Sequence, residues 1–281
     1  MGALALVSMA ACDQGDSRTF DPSEDAECVG SKCDAVSQDD DEAASEPRLE
    51  GPVVYQARYQ PSGRYEFGLD VAPPIPIVGA PDDTDFDRWA MLHDGEKYRL
   101  YFMPYGSDDT LYQFVFDEED WAYEYGHETG VNDEIAIVGA PQYANMSSIS
   151  MLHDGEKYRL YARAWNSPDR LVQFAYEPAE GAYVYQGEAS EIRVTGTPNG
   201  AYWGGWAMLG DADEYRLYAY GTYEGDDLVQ HGYDPSVHRY EYGHESKPVI
   251  DIVGRASTCN DDFAMLHDGE RYRLYVVDTP H

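Results

Sequence analysis

The sequence predicts an all-β chain folded as a ring of four repeated units, and three observations predict it. An eleven-residue stretch, MLHDGEKYRLY at residues 91–101, recurs from Met151, Met208 and Met265, at intervals of 57 to 60 residues. Between the copies, short apolar and aromatic runs alternate with turns rich in Gly, Asp and Pro, in a chain holding 25 Tyr and 26 Gly. That is a strand-and-turn composition. Third, the repeat region is out of phase with its ends. It opens on third and fourth strands (residues 53–67) and closes on first and second strands (residues 263–277). The two halves make one unit if the ends meet, whereas an open stack would need capping repeats. Four-stranded units arranged radially are a β-propeller, here four-bladed, with a composite last blade.

Each element has its own justification. The first strand, residues 89–93, alternates so that Trp89, Met91 and His93 share one face and Ala90 and Leu92 the other. Its bulky position recurs as Trp89, Ile149, Trp206 and Phe263, and its small one as Ala90, Ser150, Ala207 and Ala264. Large against small between neighbouring units is what a tight ring requires. Asp94-Gly95 predicts a two-residue hairpin turn with both residues at positive φ. The second strand is 98–102, the third 111–116 and the fourth 122–126, with a turn at 118–120. A connector, Ile137-Val138-Gly139-Ala140-Pro141, leads onward. A Gln recurs in the third strands (Gln56, Gln113, Gln173, Gln230) and a Gly in the connectors (Gly79, Gly139, Gly196, Gly254). The repeated Arg99, Arg159, Arg216 and Arg273 need acidic partners inside the stack. The candidates are Glu96, Glu156, Asp213 and Glu270, or Glu66, Glu124 and Glu241.

Over residues 52–281 this arrangement resembles the four-bladed propellers of the hemopexin-like type, in architecture and not in motif. The units are longer than is usual there, and no Cys pair joins the first unit to the last. Haem or protease binding is therefore not implied.

The preceding residues divide at Cys12. Residues 1–11 are small and apolar and end on Ala10-Ala11-Cys12, which resembles the lipobox of bacterial lipoproteins, with Met9 where Leu is usual and no Lys or Arg ahead of the run. The resemblance implies export and a lipid on Cys12. Residues 12–51 are acidic, with too little apolar surface to offset ordering, and read as a flexible tether. Cys28 and Cys33 within them are placed to close a small disulfide loop, which leaves Cys259 unpaired. The expected division is a signal-like segment 1–11, a tether 12–51 and a propeller 52–281, located in the bacterial envelope or secreted. A formal charge of −34 disfavours nucleic acid and anionic lipid as partners. Contact with a membrane is expected only through the lipid anchor.

Residues common to all copies build the scaffold, so function is expected where the copies diverge. Those places are loops 82–88, 142–148, 199–205 and 257–262 at the channel mouth, with 104–110, 164–170, 221–227 and 278–281 beside them. The candidate ligand-binding residues are Asp85, Asp87, Arg88, Tyr143, Asn145, Trp165, Tyr202, Trp203, Asn260, Asp261 and Asp262. Aromatics beside acids and amides suit a small molecule, a sugar, a peptide or a basic protein, bound by a monomer. No cofactor is required. The alternation of Asp83, Asp85 and Asp87 suits calcium. His93, His153 and His267, with Gly210 in the fourth position, match a zinc site with one open place in the channel. No Gly-x-Ser-x-Gly elbow, phosphate loop or dinucleotide fingerprint occurs. The expected function is non-catalytic binding or scaffolding outside the cytoplasm. The alternative is a propeller hydrolase or lyase, with or without a metal.

Overall fold

In the computed structural model, the residues described are 51–68, 73–126, 133–165, 167–211, 214–221, 227–244, 249–253, 262–267 and 271–279. Cys12, Cys28, Cys33, Cys259, Asn260 and Asp261 lie outside them.

The chain enters with β1 (Val53–Tyr59), β2 (Tyr65–Phe67) and β3 (Ile75–Val78). Three runs of five strands follow. The first is β4 (Thr84–His93), β5 (Tyr98–Pro104), β6 (Thr110–Asp117), β7 (Ala122–Tyr125) and β8 (Glu134–Val138). The second is β9 (Ala144–His153), β10 (Tyr158–Ala164), β11 (Ser167–Glu177), β12 (Ala182–Tyr185) and β13 (Ile192–Thr195). The third is β14 (Tyr202–Asp211), β15 (Glu214–Tyr220), β16 (Asp227–Asp234), β17 (Arg239–Tyr242) and β18 (Val249–Val253). β19 (Phe263–His267) and β20 (Tyr272–Asp278) end the chain. No α-helix occurs among the described residues.

Within each run the first four strands pair antiparallel in sequence order. These are the first, second and third units. The ends of the chain complete one another, because β20 pairs with β1 from Val53↔Asp278 to Arg58↔Arg273. With β19 on β20 and β2 on β1, they form a closing unit in the same order. The inner strands pack side by side, β4 on β9, β9 on β14, β14 on β19 and β19 on β4, which makes the whole sheet ring-like.

The connectors are strands. Each pairs antiparallel with the third strand of its own unit and parallel with the fourth strand of the next: β8 on β6 and β12, β13 on β11 and β17, β18 on β16 and β2. β3 does the same between β1 and β7. Units are therefore latched by backbone hydrogen bonds as well as by side chains.

The core is four clusters, each at a junction between neighbouring units. Trp89 shares a cluster with Ala264, Ile149 with Ala90, and Phe263 with Ala207. Each bulky inner residue thus meets the small residue of the unit before it. At the remaining junction the small residue is Ser150, whose Oγ accepts the Met208 backbone N–H at 2.8 Å. Leu100, Leu160, Leu217 and Leu274 are completely buried, and each contributes about 2 to 3 kcal/mol of burial free energy.

The repeated hairpin differs from its expected form. His93 pairs with Tyr98, so the loop has four residues, closed by an Asp94 N–H to Lys97 carbonyl bond of 3.0 Å. Among the loop residues only Gly95 has a positive φ, 97°. The second position is relieved because the Asp94 carboxylate accepts the N–H groups of Glu96 (2.9 Å) and Lys97 (2.7 Å) and so shapes the turn itself. Its other oxygen takes the Arg99 Nε–H. Asp154 repeats all three contacts, with Arg159 at 2.5 Å. The partner of the repeated Arg in these two units thus includes the turn aspartate, which was not among the acids singled out from sequence. The Asp94 carbonyl accepts the Tyr158 hydroxyl of the next unit at 2.8 Å, and the Asp154 carbonyl accepts that of Tyr215 at 2.7 Å. Burial raises the Asp94 carboxyl pKa, but Lys97, Glu96 and Arg99 together outweigh it and hold it below the ordinary range.

Replacing Asp94 with Ala removes two turn bonds and an ion pair, and is expected to cost about 2 to 3 kcal/mol in urea unfolding. Asp94→Asn keeps the turn acceptor and should cost about half as much. An Asp94→Ala chain as stable as the parent contradicts this role.

Candidate functional site

Three of the divergent segments, those leading into the first, second and third units, lie at the end of the ring opposite the repeated hairpins and belong largely to β4, β9 and β14. Thr84 and Asp85 pair with Pro104 and Met103, residues 86–88 bulge out, and Trp89 resumes pairing with Phe102. The same break occurs between Asn145 and Ile149, and between Tyr202 and Trp206. Backbone pairing tolerates the loss of side-chain alternation that made these residues read as loops.

Most of the expected ligand residues are engaged within the protein. Arg88 donates Nε–H to Asp85 Oδ2 at 2.7 Å and Nη1–H to the Ser107 carbonyl at 3.2 Å and Asp108 Oδ1 at 2.9 Å. Its Nη2 reaches the Pro104 carbonyl. Asp85 Oδ1 also accepts the Asp87 N–H at 3.2 Å. This group braces the bulge. Asn145 Oδ1 likewise accepts the N–H and Oγ–H of Ser147, at 3.0 and 2.6 Å. Asp83 accepts the Tyr112 hydroxyl at 2.9 Å.

Asp262 is 7% exposed and accepts the Ser148 hydroxyl at 2.9 Å. β9 and β19 each pack on β4 and β14, so this bond joins strands opposite one another in the ring. Both residues align with Arg88 and Gly205 in the repeat, at the axis. The expected open acidic mouth is therefore bridged at this level, and Asp262 belongs to the core.

Tyr143 and Tyr185 donate their hydroxyls to Glu191 Oε1 at 2.5 and 2.8 Å, and Arg170 Nη1 meets Oε2 at 2.9 Å. The Glu191 side chain is only 4% exposed. Burial raises its pKa, but the two tyrosines and Arg170 outweigh burial and hold it low. Tyr202 packs against the cluster of the third and closing units. Trp203 lies under the Arg163 guanidinium, 4.9 Å from its ring, and 5.7 Å from the His231 imidazole. Burial lowers the Arg163 pKa to about 10.

Two large side chains do face solvent. Trp165 is 68% exposed and Tyr105 63%. They occupy the same place in successive units, just past β10 and β5. Each N–H is held by the residue leading into the inner strand: Tyr105 by the Asp83 carbonyl at 2.7 Å, Trp165 by that of Tyr143 at 2.8 Å. Tyr105, Glu191, Tyr185 and Arg170 were missed from sequence. The alignment of Tyr105 with Trp165 was the signal for the first, and no local pattern marks the others.

The three repeated histidines stay within their own hairpins. His93 Nδ1 accepts the Gly95 N–H at 3.3 Å, and its ring meets that of Tyr98 at a tilt, with centroids 4.5 Å apart. His153 repeats this with Gly155 and Tyr158, and His267 makes the same tilted contact with Tyr272 at 4.7 Å. They form no group with ligand atoms within 4.8 Å of one another among the described residues. Gly210 is no vacancy, since a Cβ there would lie 3.3 Å from the His153 carbonyl oxygen. Among the described residues, Asp234, Glu241 and His244, and Asp117, Asp120 and Glu124, do bring ligand atoms within 4.8 Å of one another, at the outer hairpins. In the first of these, Glu241 is paired with Arg239, and Asp234 Oδ1 accepts the Ser236 N–H and hydroxyl.

His231 stands where Phe114 and Phe174 stand in the first and second units, and is completely buried. Its Nε2 meets the Thr197 hydroxyl at 3.0 Å, while Nδ1 is sealed from solvent with no hydrogen-bond partner among the described residues. Burial pulls its pKa down to about 4.

No protein-family model matches the chain, and no curated protein matches it. Among solved structures it is similar to a SapL1 lectin in complex with alpha methyl fucoside, at 15% identity and a TM-score of 0.32. The match covers 75% of this chain and 58% of the lectin, so it spans less than two thirds of that protein's length. A likeness at this level carries nothing about the ligand of this chain.

His231 generates a pH prediction. Its unfolded pKa near 6.5 exceeds the folded value, so the unfolded chain binds more protons between those pH values. Its contribution is whole above pH 6.5 and is lost as pH falls toward 4. His231→Phe should remove about 2 kcal/mol of the stability loss between pH 7 and pH 5. Parallel stability curves for parent and variant contradict this.

Proposed function

We propose that the chain is an exported, non-catalytic binding protein. On this reading the ring is a four-bladed propeller whose last blade is completed by the N-terminal strands. It binds a basic peptide or a basic segment of a protein on the divergent face, away from the axis. The observation that supports it most is the pair Tyr105 and Trp165, exposed at equivalent places on braced backbone. Large rings held on a rigid support offer cation–π and stacking contacts at little entropic cost. A net charge of −34 steers cations toward such a surface. The apolar residues 1–11 closing on Cys12 support export with a lipid anchor, and residues 12–51 would hold the ring off the membrane.

An array of Lys- and Arg-rich peptides with neutral counterparts, probed with the full chain, tests this. The basic set should be retained, and retention should weaken as salt rises. At one salt concentration Trp165→Ala and Tyr105→Ala should each weaken it about five- to tenfold without changing the melting temperature. Equal retention of neutral peptides, or no effect of either substitution, overturns the proposal.

A further inference from the structure

A cleft of about 200 Å³ opens between the first and second units, at the hairpin end of the ring and so at the far end of β5 from Tyr105. We propose that it is a second binding site, for one neutral, monosaccharide-sized polyol.

The argument starts from two tyrosines. Tyr101 on β5 and Tyr183 on β12 line the cleft and are 3% and 2% exposed. Neither hydroxyl makes a hydrogen bond to another described residue, although the tyrosines at the adjoining hairpin, such as Tyr158, do. Neither is among the sealed side-chain polar atoms that lack a partner, and both tyrosines line the cleft. A hydroxyl buried this deeply needs a partner, and the cleft is where one can sit. Burial raises both pKa values, which keeps both hydroxyls neutral, each able to donate and to accept.

The rest of the lining decides the ligand class. The cleft holds one acid, Asp94, and one base, Arg99, and these neutralise each other. A charged ligand would therefore meet one attraction and one repulsion. Gln113, 5% exposed, adds an amide that can both donate and accept. Leu92 and Ile135 supply an apolar wall. Amphoteric polar groups beside an apolar wall, with no net charge, suit a ring whose edge carries hydroxyls and whose face carries C–H groups.

The repeat adds a second candidate. Tyr161, Tyr240 and Gln173 hold the same places between the second and third units, and the hydroxyls of Tyr161 and Tyr240 also lack a hydrogen bond to a described residue. The next junction differs, because Arg216 hydrogen-bonds Tyr218 there. In the closing unit Arg273 donates to Gln56 at 3.3 Å. The polyol sites are thus the first cleft and, as its copy, the second.

Calorimetric titration of the full chain with the methyl glycosides of glucose, galactose and mannose tests the assignment. At least one should bind, with no dependence on salt. Tyr101→Phe removes only a hydroxyl that makes no hydrogen bond to another described residue, so it should leave melting unchanged and weaken the first site about tenfold. Tyr183→Phe should do the same, and Trp165→Ala should leave this binding intact, which separates the cleft from the peptide face. Three outcomes overturn the proposal: no glycoside binds, binding survives both Tyr→Phe changes undiminished, or acetate displaces the glycoside and so shows that Arg99 receives an anion.

Discussion

The structure depends on the pairing of its first described strand with its last. β1 joins β20 through six residue pairs, so the ends of the repeat region are bound into the middle of one unit. Without this pairing the ring would have two free edges, and the clusters on either side of the closing unit, each of which draws members from both β1 and β20, would be split. A second tie, β18 on β2, makes the closure double. Every other unit meets its neighbours in the same two ways, by a shared apolar cluster and by a connector strand.

This constraint explains the repeated motif. MLHDGEKYRLY carries His, Asp, Glu and Arg together and so invites a catalytic reading. Its Asp94 instead shapes the turn, holds Arg99 and offers its carbonyl to Tyr158 of the next unit. The motif recurs because every junction needs the same fastening. The inner strand thus has a uniform end that fastens units and a divergent end on which no such fastening is repeated.

Much of this was legible in the sequence, and the failures share a cause. The strand order, the phase of the ends and the large-against-small pairing of Trp89 with Ala264 follow from local pattern and repeat alignment. The connectors did not read as strands. A run such as Ile137-Val138-Gly139-Ala140-Pro141 is short and ends in Gly and Pro, and both its partners are remote. Asp94-Gly95 signalled a turn but not its length, because the aspartate side chain replaced a backbone contact. Glu191 and the Ser148–Asp262 bond were invisible for a related reason. Neither is repeated from unit to unit among the described residues, and each links residues far apart in sequence, where neither periodicity nor repetition reports it.

Native-state hydrogen exchange tests the central claim, that the ring is held as one closed body by its terminal pairing. Amides of β1 and β20 should exchange only through the same global opening as those of β10 and β11, with the same free energy. Exchange of β1 and β20 at a free energy about 2 kcal/mol or more below that of β10 and β11 would show fraying ends on an open array, and would contradict the account.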